Sequence, residues 1–135
     1  MTDNVAQLAR LYRLWSDSRG TSVEDWLEAM HPDVVMGSVA AGAPGVAFTE
    51  TRSGHDQARA YFTGLDDHFE MITFEVSEFI AQDDRVVALV DSTWRSKVDP
   101  ARVVQVLKAD VHQFRDGKIL KFFDYFDTAE LRGMG

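Results

Sequence analysis

Val5, Leu8, Leu11, Tyr12 and Trp15 recur at helical spacing, and the stripe they form predicts a first helix with Thr2 or Asp3 as its cap. The pattern lapses at "SDSRGTS" and resumes with Val23, Trp26, Leu27 and Met30, a second helix capped by Ser22. "HPD" (31–33) ends it, because the residue before Pro32 is disfavoured in a helix, and "VVM" then reads as a short strand. Residues 37–54 are rich in small residues and irregular, the character of a functional lid or a disordered segment. A third helix begins near Ser53, with Ala58, Tyr61, Phe62 and Leu65 on one face. After "DDHFE" the period falls to two. Strands are expected at about 71–81, 85–97, 102–115 and 118–127, parted by the turn signals "QDD", "VDPA" and "RDG". Helices first and an antiparallel meander after them mean an α+β fold, with the helices covering one face of the sheet.

The last strand contains an anomaly. In "KFFDYFD" (121–127), Asp127 is a plausible strand end, but Asp124 is surrounded by Phe122, Phe123, Tyr125 and Phe126, and strands disfavour Asp. "FRDGKI" fits a three-residue hairpin loop with a G1 bulge, which pairs Phe114 with Lys118. Counting outward sets Lys108 opposite Asp124 and Asp110 opposite Phe122, so that Val106, Lys108, Asp110, His112 and Phe114 share a face with Leu120, Phe122, Asp124 and Phe126. A two-residue turn on Asp116-Gly117 would instead shift the register by one and separate Asp110 from Asp124. If Leu89 and Asp91 of the preceding strand join the same face, three carboxylates, His112 and Lys108 converge among aromatics. Such a face is either solvated, with Lys108–Asp124 an ordinary cross-strand pair, or the wall of a pocket. The interleaved Phe114, Phe122 and Phe126 favour the pocket. Ser92, Trp94, Phe123 and Tyr125 then fall on the outer face, an aromatic surface that a homodimer would cover.

Composition narrows the function. The chain of 135 residues suits one domain (1–135), and its net charge of −8 with scattered Lys and Arg argues against nucleic acid and anionic membranes. There is no cysteine, no apolar run of membrane-spanning length and no signal-like start, so a soluble cytoplasmic protein is expected. His31, His55, His68 and His112 have no metal-ligand spacing, and no glycine-rich phosphate loop is present, so neither metal nor cofactor is expected. Tyr12, Trp15, Trp26, Tyr61 and Phe62 read as core; Trp15, near a helix end, and Phe48, in the long loop, are the two set to touch a ligand.

The order "HPDVV", "SGHDQARAYF", "DDRVVALVD", "FRDGKI" and "DYFDTAEL" resembles the SnoaL-like family of the nuclear-transport-factor-2-like superfamily, across nearly the whole chain. The resemblance implies a cone: a strongly curved antiparallel sheet of about four long strands and a short one, wrapped on three helices around a deep pocket. Asp124 matches the acid/base aspartate of the family's polyketide cyclases. Asp91 matches the second aspartate of the epoxide hydrolases, but Leu89 stands where their arginine would be. Asp110 matches the oxyanion-hole aspartate of ketosteroid isomerases, a site that serves as a standard example of a carboxylic acid kept neutral by apolar surroundings. Their general base aligns with Ser38, and their tyrosine falls near Leu11, leaving Tyr12 one residue off and pointing elsewhere. A cyclase-like reading follows. Asp124, His112 and Asp110 are the catalytic candidates, with Trp15, Phe48, Leu89, Asp91, Lys108, Phe114, Phe122 and Phe126 around a hydrophobic carbonyl compound. A non-catalytic binder or a protein adaptor of the same fold are the alternatives.

Overall fold

The computed structural model describes residues 3–131. Helix α1 (Asn4–Asp17) is capped by Asp3, whose carboxylate accepts from the Ala6 N–H at 3.0 Å; Thr2, the other candidate, lies outside the described residues. The helix buries Leu8, Leu11, Tyr12 and Trp15, the stripe read from the sequence. Helix α2 (Val23–Ala29) follows Ser22, which makes no side-chain capping bond. Helix α3 (Gly54–His68) buries Ala58, Tyr61 and Phe62.

Six strands form one sheet: β1 (Met30–Ser38), β2 (Arg52–Ser53), β3 (Phe69–Gln82), β4 (Arg85–Ser96), β5 (Val103–Arg115) and β6 (Lys118–Phe126). Their order is β2-β1-β6-β5-β4-β3. The expected antiparallel sheet is thus mixed, because β1 runs parallel to β6 while all other neighbours are antiparallel. The short strand expected at "VVM" is longer and begins at Met30, ahead of Pro32. Pro32 is accommodated because the β1–β6 ladder breaks between Met30 and Val35, where no strand N–H is required of it. The segment expected to be irregular does contain turns, yet it also supplies a 3₁₀ turn at Ala47–Thr49 and strand β2, and it buries Val46, Phe48 and Thr49.

The β5–β6 hairpin corrects the expected register. Asp116 and Gly117 have φ of 52° and 76°, the two positive values of a type I′ turn, and Arg115 pairs with Lys118. The loop therefore has two residues rather than three. The inversion this would cause is undone at once: Phe114 pairs with Ile119 but Gln113 with Lys121, leaving Leu120 as an extra residue. Beyond that bulge Asp110 lies opposite Asp124, His112 opposite Phe122 and Lys108 opposite Phe126. The acidic and aromatic residues stay on one face, with Ile119 in the inner position expected for Leu120.

Strand β4 faces the other way from its expected setting. Ala88 pairs with Asp110, Val90 with Lys108 and Ser92 with Val106, so Ala88, Val90, Ser92 and Trp94 are buried against the helices. Leu89 and Asp91, paired with Ala109 and Leu107, lie on the outer face. Ser92 and Trp94 are corrected likewise, from outer to inner. The inward strand carries small residues because the curved sheet brings it close to neighbouring side chains; Ser92 Oγ donates to the Val106 carbonyl at 2.9 Å and accepts from Trp94 Nε1 at 3.0 Å.

One helical glycine tests this packing. A Cβ built on Gly64 would stand 2.5 Å from Phe48 Cβ, so α3 leaves room for the loop's aromatic. Gly64→Ala gains about 1 kcal/mol of helix propensity and incurs overpacking of about 1–3 kcal/mol. The expected result in urea denaturation is a net loss, since the clashing atom adjoins backbone and cannot swing aside. A net gain would show that the loop gives way freely.

Candidate functional site

The concave face and the helices enclose a cavity of about 90 Å³. Aromatic side chains dominate its wall: Tyr12 and Trp15 of α1, Trp26 of α2, Tyr61 of α3, Phe74 of β3 and Phe122 of β6. Set among them is a cluster of charged and polar groups from β5 and β6. Asp110, His112 and Asp124 are only 2%, 1% and 3% exposed, so the solvated-face alternative does not describe this face.

Lys108 is the cation of the cluster. Its Nζ lies 3.1 Å from Asp110 Oδ1 and 3.6 Å from Asp124 Oδ2, diagonal to Asp124 across the ladder rather than opposite it. Burial pushes its pKa down, and the two carboxylates outweigh that and hold the ammonium above the usual lysine range. The same ammonium sits 5.8 Å and 5.9 Å from the ring centroids of Phe74 and Phe122, within cation–π range. Two carboxylates thus share one cation. Burial raises the pKa of Asp124; Lys108 opposes this and Asp110 adds to it, leaving a net upward shift. Ser38, its partner in the β1–β6 ladder, favours ionisation to a smaller degree.

Tyr12 organises the other half. Its hydroxyl donates to Asp110 Oδ2 at 2.7 Å. With that proton committed, the 2.7 Å contact to His112 Nε2 requires the imidazole to donate from Nε2. Burial lowers the His112 pKa to about 4, Asp110 pulling it back and Lys108 adding to the fall, so the ring is neutral at pH 7. It stacks on Trp26 with an interplanar angle of 5°, and Nδ1 has no hydrogen-bond partner among the described residues. Desolvation, reinforced by Asp110, holds the Tyr12 phenol well above its usual pKa. Tyr12 does not point elsewhere, as its position beside Leu11 suggests, but into the site. Helical periodicity places it correctly on the buried stripe; what the stripe cannot distinguish is a core position from a cavity wall.

Of the residues singled out in the sequence, Asp124, His112, Asp110, Lys108, Trp15, Phe48, Phe122 and Phe126 line the cavity. Phe114 is on the inner face but is buried in the core beside His112, with ring centroids 6.4 Å apart. Leu89 and Asp91 are brought together only on the outer face, where Asp91 Oδ1 accepts from Gln105 Nε2 at 3.0 Å. Tyr12, Trp26, Tyr61 and Phe74 are among the wall residues that sequence reading misses. The other histidines are spent on local structure: His55 Nε2 bonds the Met30 carbonyl and His68 Nδ1 the Gly64 carbonyl. No set of potential metal ligands occurs among the described residues, nor is any described helix long and apolar enough to cross a membrane.

The family model of the SnoaL-like domain matches residues 8–122. The chain belongs to the SnoaL-like family. No curated protein matches it significantly. Among solved structures, this SnoaL-like chain is similar to a nuclear-transport-factor-2-like protein of unknown function from Burkholderia pseudomallei, with 26% identity, a TM-score of 0.85 and coverage of 99% and 98% of the two chains. It shares its fold with TerC co-crystallised with polyporic acid, at 23% identity, a TM-score of 0.79 and coverage of 97% and 96%. The fold recurs in a protein from Catenulispora acidiphila with a ketosteroid isomerase-like fold, in complex with trimethylamine. There the identity is 17%, the TM-score 0.73 and the coverage 90% and 88%. The α+β cone expected from the sequence is the fold of the family.

Proposed function

We propose that this SnoaL-like protein binds a small hydrophobic carbonyl compound and that Asp124 acts on it as a general acid/base. The observation that carries the reading is a carboxyl group 3% exposed, raised in pKa by burial, at the wall of an aromatic cavity. A protonated Asp124 donates to a carbonyl oxygen, and the anion left behind is stabilised by Lys108 Nζ at 3.6 Å. Asp110 and His112, joined through Tyr12, supply the remaining polar wall. The co-crystallisation of TerC with polyporic acid is in keeping with a cavity of this fold taking a compact organic ligand. No cofactor enters the reaction. A non-catalytic binder would use the same cavity.

NMR titration of carboxyl-labelled protein, with Asp124→Asn for assignment, tests the acid. Its pKa should lie above the ordinary aspartate value of about 3.9; a value at or below that removes the acid from the proposal. Aromatic polyketide-like carbonyl compounds are the first to screen. Where turnover is found, Asp124→Asn should lower kcat about 10²- to 10⁴-fold with ligand affinity little changed; binding without turnover leaves the non-catalytic reading.

We further propose that the chain forms one domain, cytoplasmic and homodimeric through its outer sheet face. Leu107, Tyr125 and Phe123 are 64%, 54% and 36% exposed there, and Phe123 and Tyr125 lie with ring centroids 4.9 Å apart.

A further inference from the structure

The irregular segment between β1 and β2 is not used by the acid/base reading. Among the described residues, 40–49 hydrogen-bond only to one another, to Ser38 and to Glu50. Thr49 Oγ1 is the internal tie, donating to the Val46 carbonyl at 2.6 Å and accepting from the Gly42 N–H at 3.1 Å. Ala41, near the start, holds φ of 47°, a left-handed backbone that strains an L side chain. The segment joins the helices and sheet through apolar contact, by way of the buried Ala40, Val46 and Phe48.

Phe48 makes that contact inside the site. Every other aromatic side chain of the cavity wall stands on an α-helix or a β-strand, whereas Phe48 belongs to the 3₁₀ turn of this segment. Its ring centroid lies 5.4 Å from that of Tyr61 and 6.1 Å from that of Phe69. Its Cβ occupies the notch left by Gly64, where an added Cβ would stand 2.5 Å away. With the ring seated, about 90 Å³ of the cavity remains. That is room for about three waters, whereas an engineered apolar cavity that takes up benzene measures about 150 Å³.

We infer that Phe48 is a displaceable plug that decides which ligands the site admits. Residues 40–49 lift as one unit, and the ring of an aryl ketone takes the space of the Phe48 phenyl group. This rests on the reading of the cavity as a carbonyl-compound site. The hydrogen bonds within the segment travel with it, and those to Ser38 and Glu50 mark its two hinges. One aromatic ring then replaces another against Tyr61 and Phe69, so much of the packing lost by Phe48 is returned by the ligand. A ketone without a ring enters beside the seated plug.

The test titrates acetone and acetophenone into the wild type and Gly64→Ala, followed by NMR of protein with labelled amides and labelled phenylalanine rings. In the wild type, acetophenone should shift the amides of 40–49 together and move the Phe48 ring signals, which acetone should leave in place. Gly64→Ala adds a methyl group that clashes with Phe48 only when the plug is seated, and it removes no atom whose loss could open a new cavity. It should tighten acetophenone binding about fivefold or more, with acetone affinity changed by less than about twofold. Three results overturn the plug and leave the cavity reading standing: acetone binding without acetophenone binding; acetophenone binding with the Phe48 signals unmoved; or an acetophenone affinity that Gly64→Ala leaves unchanged or weaker. If the variant does not fold, the wild-type signals decide alone. Failure of both ketones to bind overturns the cavity reading, and the plug with it.

Discussion

Lys108→Met should destabilise the protein by about 3–5 kcal/mol at pH 7, the range for removing one partner of a buried charge cluster. The lysine side chain is only 14% exposed and is the one cation against two carboxylates that face each other across β5 and β6. Methionine matches its stem but leaves Asp110 and Asp124 opposed with no counter-charge. The pH dependence has a definite sign. Lys108 has a raised folded pKa, so its stabilisation is complete below the ordinary lysine value and is lost only as pH rises through the folded one. Asp124 also has a raised folded pKa, so its contribution is present below the ordinary aspartate value and lost as pH rises through the folded one. Without Lys108 that rise is larger. The gap between wild type and variant should therefore narrow as pH falls from 7 towards 4, in urea denaturation at fixed ionic strength. A loss under about 1 kcal/mol, equal at all pH values, would mean that the ammonium compensates neither carboxylate.

The second large effect belongs to His112. Its folded pKa of about 4 lies below the unfolded value of about 6.5, so the neutral ring contributes stability that is full above the unfolded value and lost as pH falls through the folded one. A difference of roughly 2.5 pKa units corresponds to about 3 kcal/mol, and the side chain is too deeply buried for solvent to dilute it much. Asp124 acts in the opposite sense over part of this range, so the wild-type curve alone does not isolate the histidine. His112→Gln does. Its stability deficit at pH 7 should shrink by about 3 kcal/mol by pH 4, and NMR should place the wild-type imidazole midpoint near 4. A midpoint near 6.5 would show that water reaches the ring. The two substitutions adjoin a common partner, Asp110, so their effects should not add.

Much of this site was legible in the chain because strand period and helix stripe are strong signals. The aromatic run around Asp124 pointed to a pocket wall, and Asp110, His112 and Lys108 followed from alternation along β5. What failed were settings that depend on a single residue. "DG" supports both a two-residue and a three-residue turn, and nothing in the local pattern marks Leu120 as a bulge. The two departures cancel, which is why the inner face was right although the pairs were not. Strand β4 had no such anchor. Leu-Asp-Thr and Ala-Val-Ser-Trp alternate equally well, and only the packing of small Ala88 and Ser92 under the curved sheet decides between them. Tyr12 was hidden for another reason: its neighbours on α1 are core residues, and its role depends on two groups from a strand about a hundred residues later.

The bulge at Leu120 also determines how this fold tolerates change. Phe114 pairs with Ile119 and Gln113 with Lys121, so loss of the extra residue between them would leave every later position of β6 on its present face. Drawing Leu120 into the ladder opposite Gln113 is what would turn the strand over: Phe123 and Tyr125 would enter the cavity, and Asp124 would be delivered to the outer face in their place. A single-codon deletion at this point would thus spare both the site and the outer surface, making residue 120 the position where β6 can change in length without exchanging its faces.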